Sequence, residues 1–284
     1  INGTVIDNNS IVGTIVVKST NVTTNENEPT GTLIVNPDEN PDGVQAIVEF
    51  YNQAYDCEEC GFYTRSWQYF GIPVEESGAT AAPLPFTSVE EVNEWSEPAN
   101  GDKWITPNMP LTAFTGYEIT RNQTTEPDYD NAVNRFEGLL NISSVTVGIT
   151  RTTAVNYPGA NLVGNSYTAA IPISSDALTF PTGVEETVYL FNTGTRDQWR
   201  KLNGTAISRD GYRSGQYLAV PVNLGGQDEF PDRIPSMHAF MVLAESGNGG
   251  NLGIDYSKLV KNTTVNRGNG EQIVTRSTND KGST

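Results

Sequence analysis

The sequence predicts an all-β protein, a β-sandwich built from two related halves behind a short N-terminal segment of solenoid-like or flanking strands. Three observations carry this. Val, Ile, Thr, Tyr and Phe recur in short alternating runs, whereas helical periodicity is scarce. The polar remainder is dominated by Asn, Thr, Ser and Gly, which favour turns and strands over helices. One pattern also occurs twice. Ser66-Trp67-Gln68-Tyr69-Phe70-Gly71-Ile72-Pro73 and Gly159-Ala160-Asn161-Leu162-Val163-Gly164-Asn165-Ser166-Tyr167 are both apolar strands running into a glycine turn. Each is followed, after an insert, by a strand with a small residue before an aromatic: Gly116-Tyr117-Glu118-Ile119-Thr120 and Ala239-Phe240-Met241-Val242-Leu243.

The elements follow in order. Residues 1–60 read as short strands between Asn/Asp/Pro loops. Gly13-Thr14-Ile15-Val16-Val17 is echoed by Gly31-Thr32-Leu33-Ile34-Val35, with Gly3-Thr4-Val5-Ile6 and Ala46-Ile47-Val48-Glu49-Phe50 as weaker copies. Such echoes resemble rungs of a solenoid end, with an ordinary meander as the alternative. Residues 61–157 form the first half, with strands expected over 62–74, 116–121, 134–138 and 144–151. Within its loop-rich insert, Thr87-Ser88-Val89-Glu90-Glu91-Val92 reads as a capping box opening a short helix ahead of Trp95. Residues 158–262 form the second half, with strands expected over 160–164, 187–192, 216–221 and 238–245, and a further segment over 251–260. Residues 263–284 are a polar tail or the start of a further domain. The opening at Ile1, in mid-pattern, reads as a trimmed or mature piece.

Charge narrows the function classes. The net charge of -17 and pI near 4.3 repel phosphate backbones and anionic lipid, so nucleic acid is not an expected partner. No apolar run approaches the roughly 18 residues of a spanning helix. The acidic balance suits an extracellular protein or one that holds cations.

Asn161 to Tyr167 with Ala169-Ala170-Ile171, the strand Val188-Tyr189-Leu190-Phe191-Asn192-Thr193-Gly194 with Trp199, and Ile234-Pro235-Ser236-Met237-His238-Ala239-Phe240 together resemble a β-sandwich module of large exported proteins of Bacteroidetes. Its relatives carry a Gly-Asn-Pro-Tyr box and a Met-Gln-Gly-Phe-Phe strand. Ser166 stands here in place of the proline, and His238-Ala239 in place of Gln-Gly. The resemblance spans residues 62–260 and implies an adhesin-like protein, often type IX secretion cargo, at the outer cell surface or beyond. It brings no catalytic residues, and the upstream region resembles the β-helical segment that often precedes such modules.

Candidate chemistry was weighed residue by residue. Asp38, Asn40 and Asp42, with Gly43 and then Glu49, match the spacing of a calcium loop, where staggered oxygens wrap the ion. The flanking segments read as strands rather than helices, and a plain Asn-Pro-Asp-Gly turn accounts for the same residues. Asp128-Tyr129-Asp130-Asn131 is a weaker copy. Calcium at the first loop is thus the one cofactor to consider.

Cys57 and Cys60 sit in Cys-x-x-Cys spacing. With one histidine in the chain they cannot complete a zinc site, which leaves a local disulfide or two free thiols. His238, that single histidine, stands at a strand start, where it reads as a polar strand-end residue rather than a general base. The paired acids Glu75-Glu76 and Glu185-Glu186 read as solvated turns rather than a glycosidase pair.

Trp95, Trp104 and Trp199 lie in or near loops, and Tyr212 and Tyr217 flank a Gly-rich turn. Exposed, these rings could stack on a sugar or anchor a protein; buried, they fill core. The expected function is a non-catalytic adhesive or structural module meeting an extracellular protein or glycan. A carbohydrate-binding module is the first rival, marked by exposed coplanar tryptophans. A hydrolase is the second, marked by facing carboxylates in a cleft.

Overall fold

The computed structural model describes residues 15–19, 31–52, 54, 56–57, 64–77, 86, 90–121, 133–153, 155–193, 208–209, 212–213, 215–227, 230–247 and 249–262. It is all-β. In chain order the strands are β1 (Ile15–Val17), β2 (Gln45–Tyr51), β3 (Asp56–Cys57), β4 (Thr64–Arg65), β5 (Gln68–Phe70), β6 (Glu76–Ser77), β7 (Glu90–Trp95), β8 (Trp104–Ile105), β9 (Leu111–Thr112), β10 (Tyr117–Arg121) and β11 (Val133–Leu139). They continue as β12 (Val145–Thr150), β13 (Ala160–Gly164), β14 (Ile171–Pro172), β15 (Leu178–Thr179), β16 (Thr187–Phe191), β17 (Ser208–Arg209), β18 (Tyr212–Arg213), β19 (Tyr217–Pro221), β20 (Arg233–Ile234), β21 (Ala239–Leu243) and β22 (Gly249–Ile254).

Two inner sheets share one topology. One runs β5-β10-β7-β8 and the other β13-β21-β16-β19, so in each the first strand pairs with the last, the last with the second, and the second with the third. Each inner sheet is preceded and followed by strands of one outer sheet: β2 pairs with β11, and β12 with β22. The short pairs β6–β9 and β14–β20 correspond in the same way. The duplication read from the sequence is therefore a duplication of fold. Its limits in the pairing pattern differ from those drawn along the chain. Ala46–Phe50 joins the first repeat through β11, and the strand over 144–151 joins the second through β22.

Hydrophobic packing stacks these sheets in four layers. Val48, Phe50 and Phe136 of the first outer sheet meet Phe70, Tyr117 and Ile119 of the first inner sheet. Ile149, Leu252 and Ile254 meet Val163, Val188, Phe240 and Val242 in the second core. Between the inner sheets lies a thinner layer of Ala160, Leu162, Ala239 and Met241, joined by Tyr69, Trp95, Trp104 and Tyr189. β13 is buried along its whole length, which explains why it reads as a continuous apolar run with little polar alternation.

The repeats cross where their glycine turns meet. A Cβ on Gly71 would stand 2.6 Å from the Gly164 Cα, and one on Gly164 would stand 2.7 Å from the Gly71 Cα. Both positions therefore require glycine. Single bridges Phe70↔His238 and Thr115↔Val163 link the repeats reciprocally. Phe114 and Met237, three residues before the equivalent aromatics Tyr117 and Phe240, both adopt left-handed backbone, with φ of 62° and 61°. Each reaches into the other repeat: Phe114 packs edge-on to Tyr167 at 5.0 Å, and Met237 lies in the first core.

One expectation is corrected. The helix expected from Thr87 to Val92 is not formed: residues 90–95 are β7, held between β10 and β8, while 87–89 lie outside the described residues. Pairing of Val92 with Ile119 and Trp95 with Trp104 overrides a local capping pattern. Gly13 and Thr14 lie outside the described residues, and the described parts of the two echoes, 15–18 and 31–35, meet once. They share the bond from Gly31 N–H to Lys18 C=O at 2.8 Å, and then part. β1 runs parallel to β2. Leu33 exchanges bonds with Thr168, donating to its carbonyl at 3.0 Å and accepting from its hydroxyl at 2.5 Å. Val35 exchanges two bonds with the Tyr256 hydroxyl, each at 3.0 Å. The described parts of these segments lie along the flank of the sandwich. Residues 263–284 lie outside the described residues.

Candidate functional site: an aromatic seam between the inner sheets

The nominated tryptophans divide. Trp199 lies outside the described residues. Trp95 and Trp104 face each other across β7 and β8, their rings 5.1 Å apart at 78°. Trp95 donates its indole N–H to the Ala160 carbonyl at 2.6 Å, tying the first inner sheet to the second. Trp104 lies 5.2 Å from Tyr69. Tyr69 in turn stacks on Phe191 at 4.3 Å and 15°, and accepts a hydrogen bond from the Tyr217 hydroxyl at 3.0 Å. Desolvation first, then the neighbouring Tyr217, pushes the Tyr69 hydroxyl far above the ordinary tyrosine range. Tyr217 is the most exposed ring of this seam, at 41%, and the others are half-buried. The two tryptophans are half-buried and not coplanar, and they pack in the layer between the inner sheets.

The calcium residues are not assembled. Asn36 caps the turn over Pro37–Glu39 by accepting from Asp38 N–H at 3.2 Å, and Asn40 donates its side-chain amide to the Asn36 carbonyl at 2.9 Å. Glu49 sits in β2 opposite Arg135, whose Nε and Nη2 donate to it at 3.2 and 3.1 Å. Asp38, Asp42 and Glu49 therefore do not converge, and among the described residues no cluster of three His, Cys, Asp or Glu is suited to a metal. A strand following the turn carries Glu49 away; an EF-hand helix would have brought it back. Asp128 and Asp130 lie outside the described residues, as do Cys60 and the side chain of Cys57.

His238 is held by its backbone, donating to Pro235 C=O at 3.2 Å and accepting from Asn165 N–H at 2.8 Å. Desolvation lowers its imidazole pKa to about 4. Glu185 accepts from the Tyr189 hydroxyl at 2.8 Å, and Glu75 is exposed. The backbone of Glu76 lies in β6, its side chain outside the described residues.

Sequence reasoning missed a buried polar anchor. Glu97, 3% exposed, accepts from Thr152 N–H and Gly159 N–H, each at 2.8 Å, and from the hydroxyls of Thr152 and Thr150 at 2.9 and 3.1 Å. Burial pushes its carboxyl up, but these donors outweigh that and hold it below the ordinary range. Lys103, equally buried, donates to the carbonyls of Glu97 and Ala99. Together they fasten the β7–β8 hairpin to the loop between β12 and β13. Nothing in a lone Glu six residues before a Lys signals this. Asn165, in the Gly-Asn-x-Tyr box, is legible in hindsight. Its amide donates to the Ala169, Ile234 and Pro235 carbonyls at 3.0, 3.1 and 2.9 Å. Ser166, where relatives carry proline, accepts from Phe114 N–H at 2.6 Å and so supports the crossing residue.

No family model matches the chain, and no solved structure matches it. A curated relative does: the chain is 55% identical over 287 residues to "Minor fimbrium subunit Mfa5" of Porphyromonas gingivalis, an alignment covering 98% of this chain and 22% of that protein. The chain thus spans about a fifth of the length of the curated relative it matches.

Proposed function

We propose that this chain is a non-catalytic structural and adhesive module of a larger fimbrial or cell-surface subunit, carried at the outer surface of a Bacteroidetes cell. The observation that supports it is the 55% identity to a minor fimbrium subunit, sustained over 98% of the chain. A doubled, cross-braced sandwich suits a part that must hold shape under load. Protein partners, other fimbrial or surface subunits, are favoured over glycans because Trp95 and Trp104 are spent between the sheets. The test is to delete the codons for this segment from the full-length gene in its own host. Expected outcomes are loss of adherence or of fimbrial incorporation, and accessibility of the intact protein to antibody on whole cells. Retention of the full-length protein inside the cell would overturn the reading. Glycan-array binding by the isolated chain, abolished by Trp199→Ala, would replace it with the carbohydrate-binding alternative.

A further inference from the structure

The aromatic seam ends in a pair of tyrosines, one from each repeat. Tyr69 lies on β5 of the first inner sheet, and Tyr217 opens β19 of the second, 148 positions further along the chain. The Tyr217 hydroxyl donates to the Tyr69 hydroxyl at 3.0 Å, and the ring centroids stand 6.0 Å apart at 54°. Two phenols joined end to end through their hydroxyls would hold their centroids farther apart than this. The rings therefore incline toward each other, and the ortho carbons beside the two hydroxyls lie close. Tyr167 and Tyr256 make the contrast. Their centroids are 5.4 Å apart, but their hydroxyls donate to different partners, the carbonyls of Ser143 and Val35.

The surroundings of the pair suit one-electron oxidation. Desolvation holds the Tyr69 proton on its oxygen in the resting protein, so an electron leaves that ring only together with the proton. A proton acceptor stands beside it. Glu118 lies opposite Tyr69 in the β5–β10 pair, is 4% exposed, and its negative charge raises the pKa of both hydroxyls. Further oxidisable rings lead to Tyr69: Trp104 at 5.2 Å, and Trp95 at 5.1 Å from Trp104. Electrons cross gaps of this size between rings, so the oxidant need not touch the pair itself.

We propose that Tyr69 and Tyr217 are a site of dityrosine formation, a covalent staple between the two repeats made when a peroxide, activated by haem iron, oxidises the protein. Each phenol gives up one electron and one proton. The two phenoxyl radicals couple through their ortho carbons, forming one C–C bond, and the two ortho hydrogens shift to the oxygens as the rings regain aromaticity. The peroxide takes up both electrons and both protons, its O–O bond breaks, and two molecules of water leave. The staple closes a loop between residues 148 positions apart, and so restricts the unfolded chain as a disulfide does. It needs no second chain and does not rest on the surface-module reading.

The test oxidises the intact chain in dilute solution with a small haem peptide and hydrogen peroxide, then separates the monomer by size exclusion. The monomer should carry dityrosine fluorescence. Its digest should yield a linked peptide that pairs Tyr69 with Tyr217 and weighs two hydrogens less than its parts. Tyr69→Phe and Tyr217→Phe should each lose nearly all of the monomer fluorescence while staying folded by far-UV circular dichroism. Should Tyr69→Phe unfold, Tyr217→Phe alone decides, since it removes only the hydroxyl of the most exposed ring of the seam. The oxidised wild type should also melt about 5 °C or more above Tyr217→Phe treated alike. Dityrosine confined to covalent dimers would overturn the proposal. So would a monomer without it, a linkage of Tyr167 to Tyr256, or monomer fluorescence that survives in the folded variants. None of these outcomes bears on surface location of the full-length protein, so failure here is distinguishable from failure of the subunit reading.

Discussion

The chain's single histidine gives a clean probe at the scale of one residue. His238 begins β21 at the crossing of the repeats, where its imidazole pKa falls to about 4 through desolvation. A base whose folded pKa lies below its unfolded value of about 6.5 binds fewer protons folded than unfolded below that pH. Its destabilising effect is therefore absent above about pH 6.5 and grows as pH falls toward 4. At pH 5 it costs on the order of 2 kcal/mol. His238→Gln should match the wild type in denaturant stability at pH 8 and exceed it at pH 5 by about that amount. Equal losses in both proteins would show the imidazole to be solvated. The sequence marked His238 as a strand-end residue, and its backbone partners agree. The depressed pKa was not legible, because it comes from desolvation that arises only when distant parts of the chain fold together. Glu97 was invisible for the same reason: its donors at residues 150, 152 and 159 come together only in the folded state.

Legibility at the scale of elements follows burial. β13 and β21 are inner strands with apolar residues on both faces, and their runs were readable directly, while β10 was readable from its alternation of Tyr117 and Ile119 with Glu118 and Thr120. β7 was not, since Glu90-Glu91-Val92-Asn93-Glu94 carries the acids and spacing of a helix start and becomes strand only through β10. The reciprocal pair Phe114 and Met237 escaped notice because no local signal announces left-handed backbone at a large apolar residue. Their positions imply that each repeat contributes one side chain to the other's core. Met237 is fully buried, so Met237→Ala should cost about 2–5 kcal/mol by leaving a cavity in the first core. Phe114 is only partly buried, and Phe114→Ala should fall at the lower end of the roughly 3–5 kcal/mol range for aromatic truncation. The readout is urea denaturation. The pair should also couple: Phe114→Ala/Met237→Ala should depart from additivity by at least about 0.5 kcal/mol, because both brace the junction where Gly71 and Gly164 touch. Strict additivity would mean that the two repeats are joined only loosely there.

Whether the whole molecule is one cooperative body or two is decided by what crosses between the repeats. Beyond the crossing at Gly71 and Gly164 with its reciprocal bridges and side chains, three further kinds of contact do. The aromatic seam bonds Trp95 to Ala160. The buried carboxylate of Glu97 holds Thr152 and Gly159. The N-terminal flank reaches past the first repeat to the second, where Tyr256 holds Val35 and the Thr32 hydroxyl accepts from Asn262 N–H at 2.7 Å. A fragment beginning at 143 retains β12 through β22 and every strand of the second core. It loses Phe114 from that core, the Glu97 carboxylate to which Thr152 and Gly159 donate, and the cover that Tyr69, Trp95 and Trp104 give Ala160, Leu162, Ala239 and Met241. It would expose an apolar inner-sheet face that the intact chain hides. The strand complement alone argues for independent folding; the exposed face and lost anchors argue against it. The second set is larger, since an uncovered sheet face forfeits roughly 25 cal/mol for each Å² of apolar surface left wet, against a net stability of only about 5–15 kcal/mol for a domain. Residues 143–262 expressed alone should therefore show no sharp thermal transition and should bind a hydrophobic dye, while the intact chain unfolds in a single step at one temperature by near-UV and far-UV circular dichroism. A sharp, two-state transition in the fragment would show that the repeats are separate domains and that the seam between them is an interface rather than a shared core.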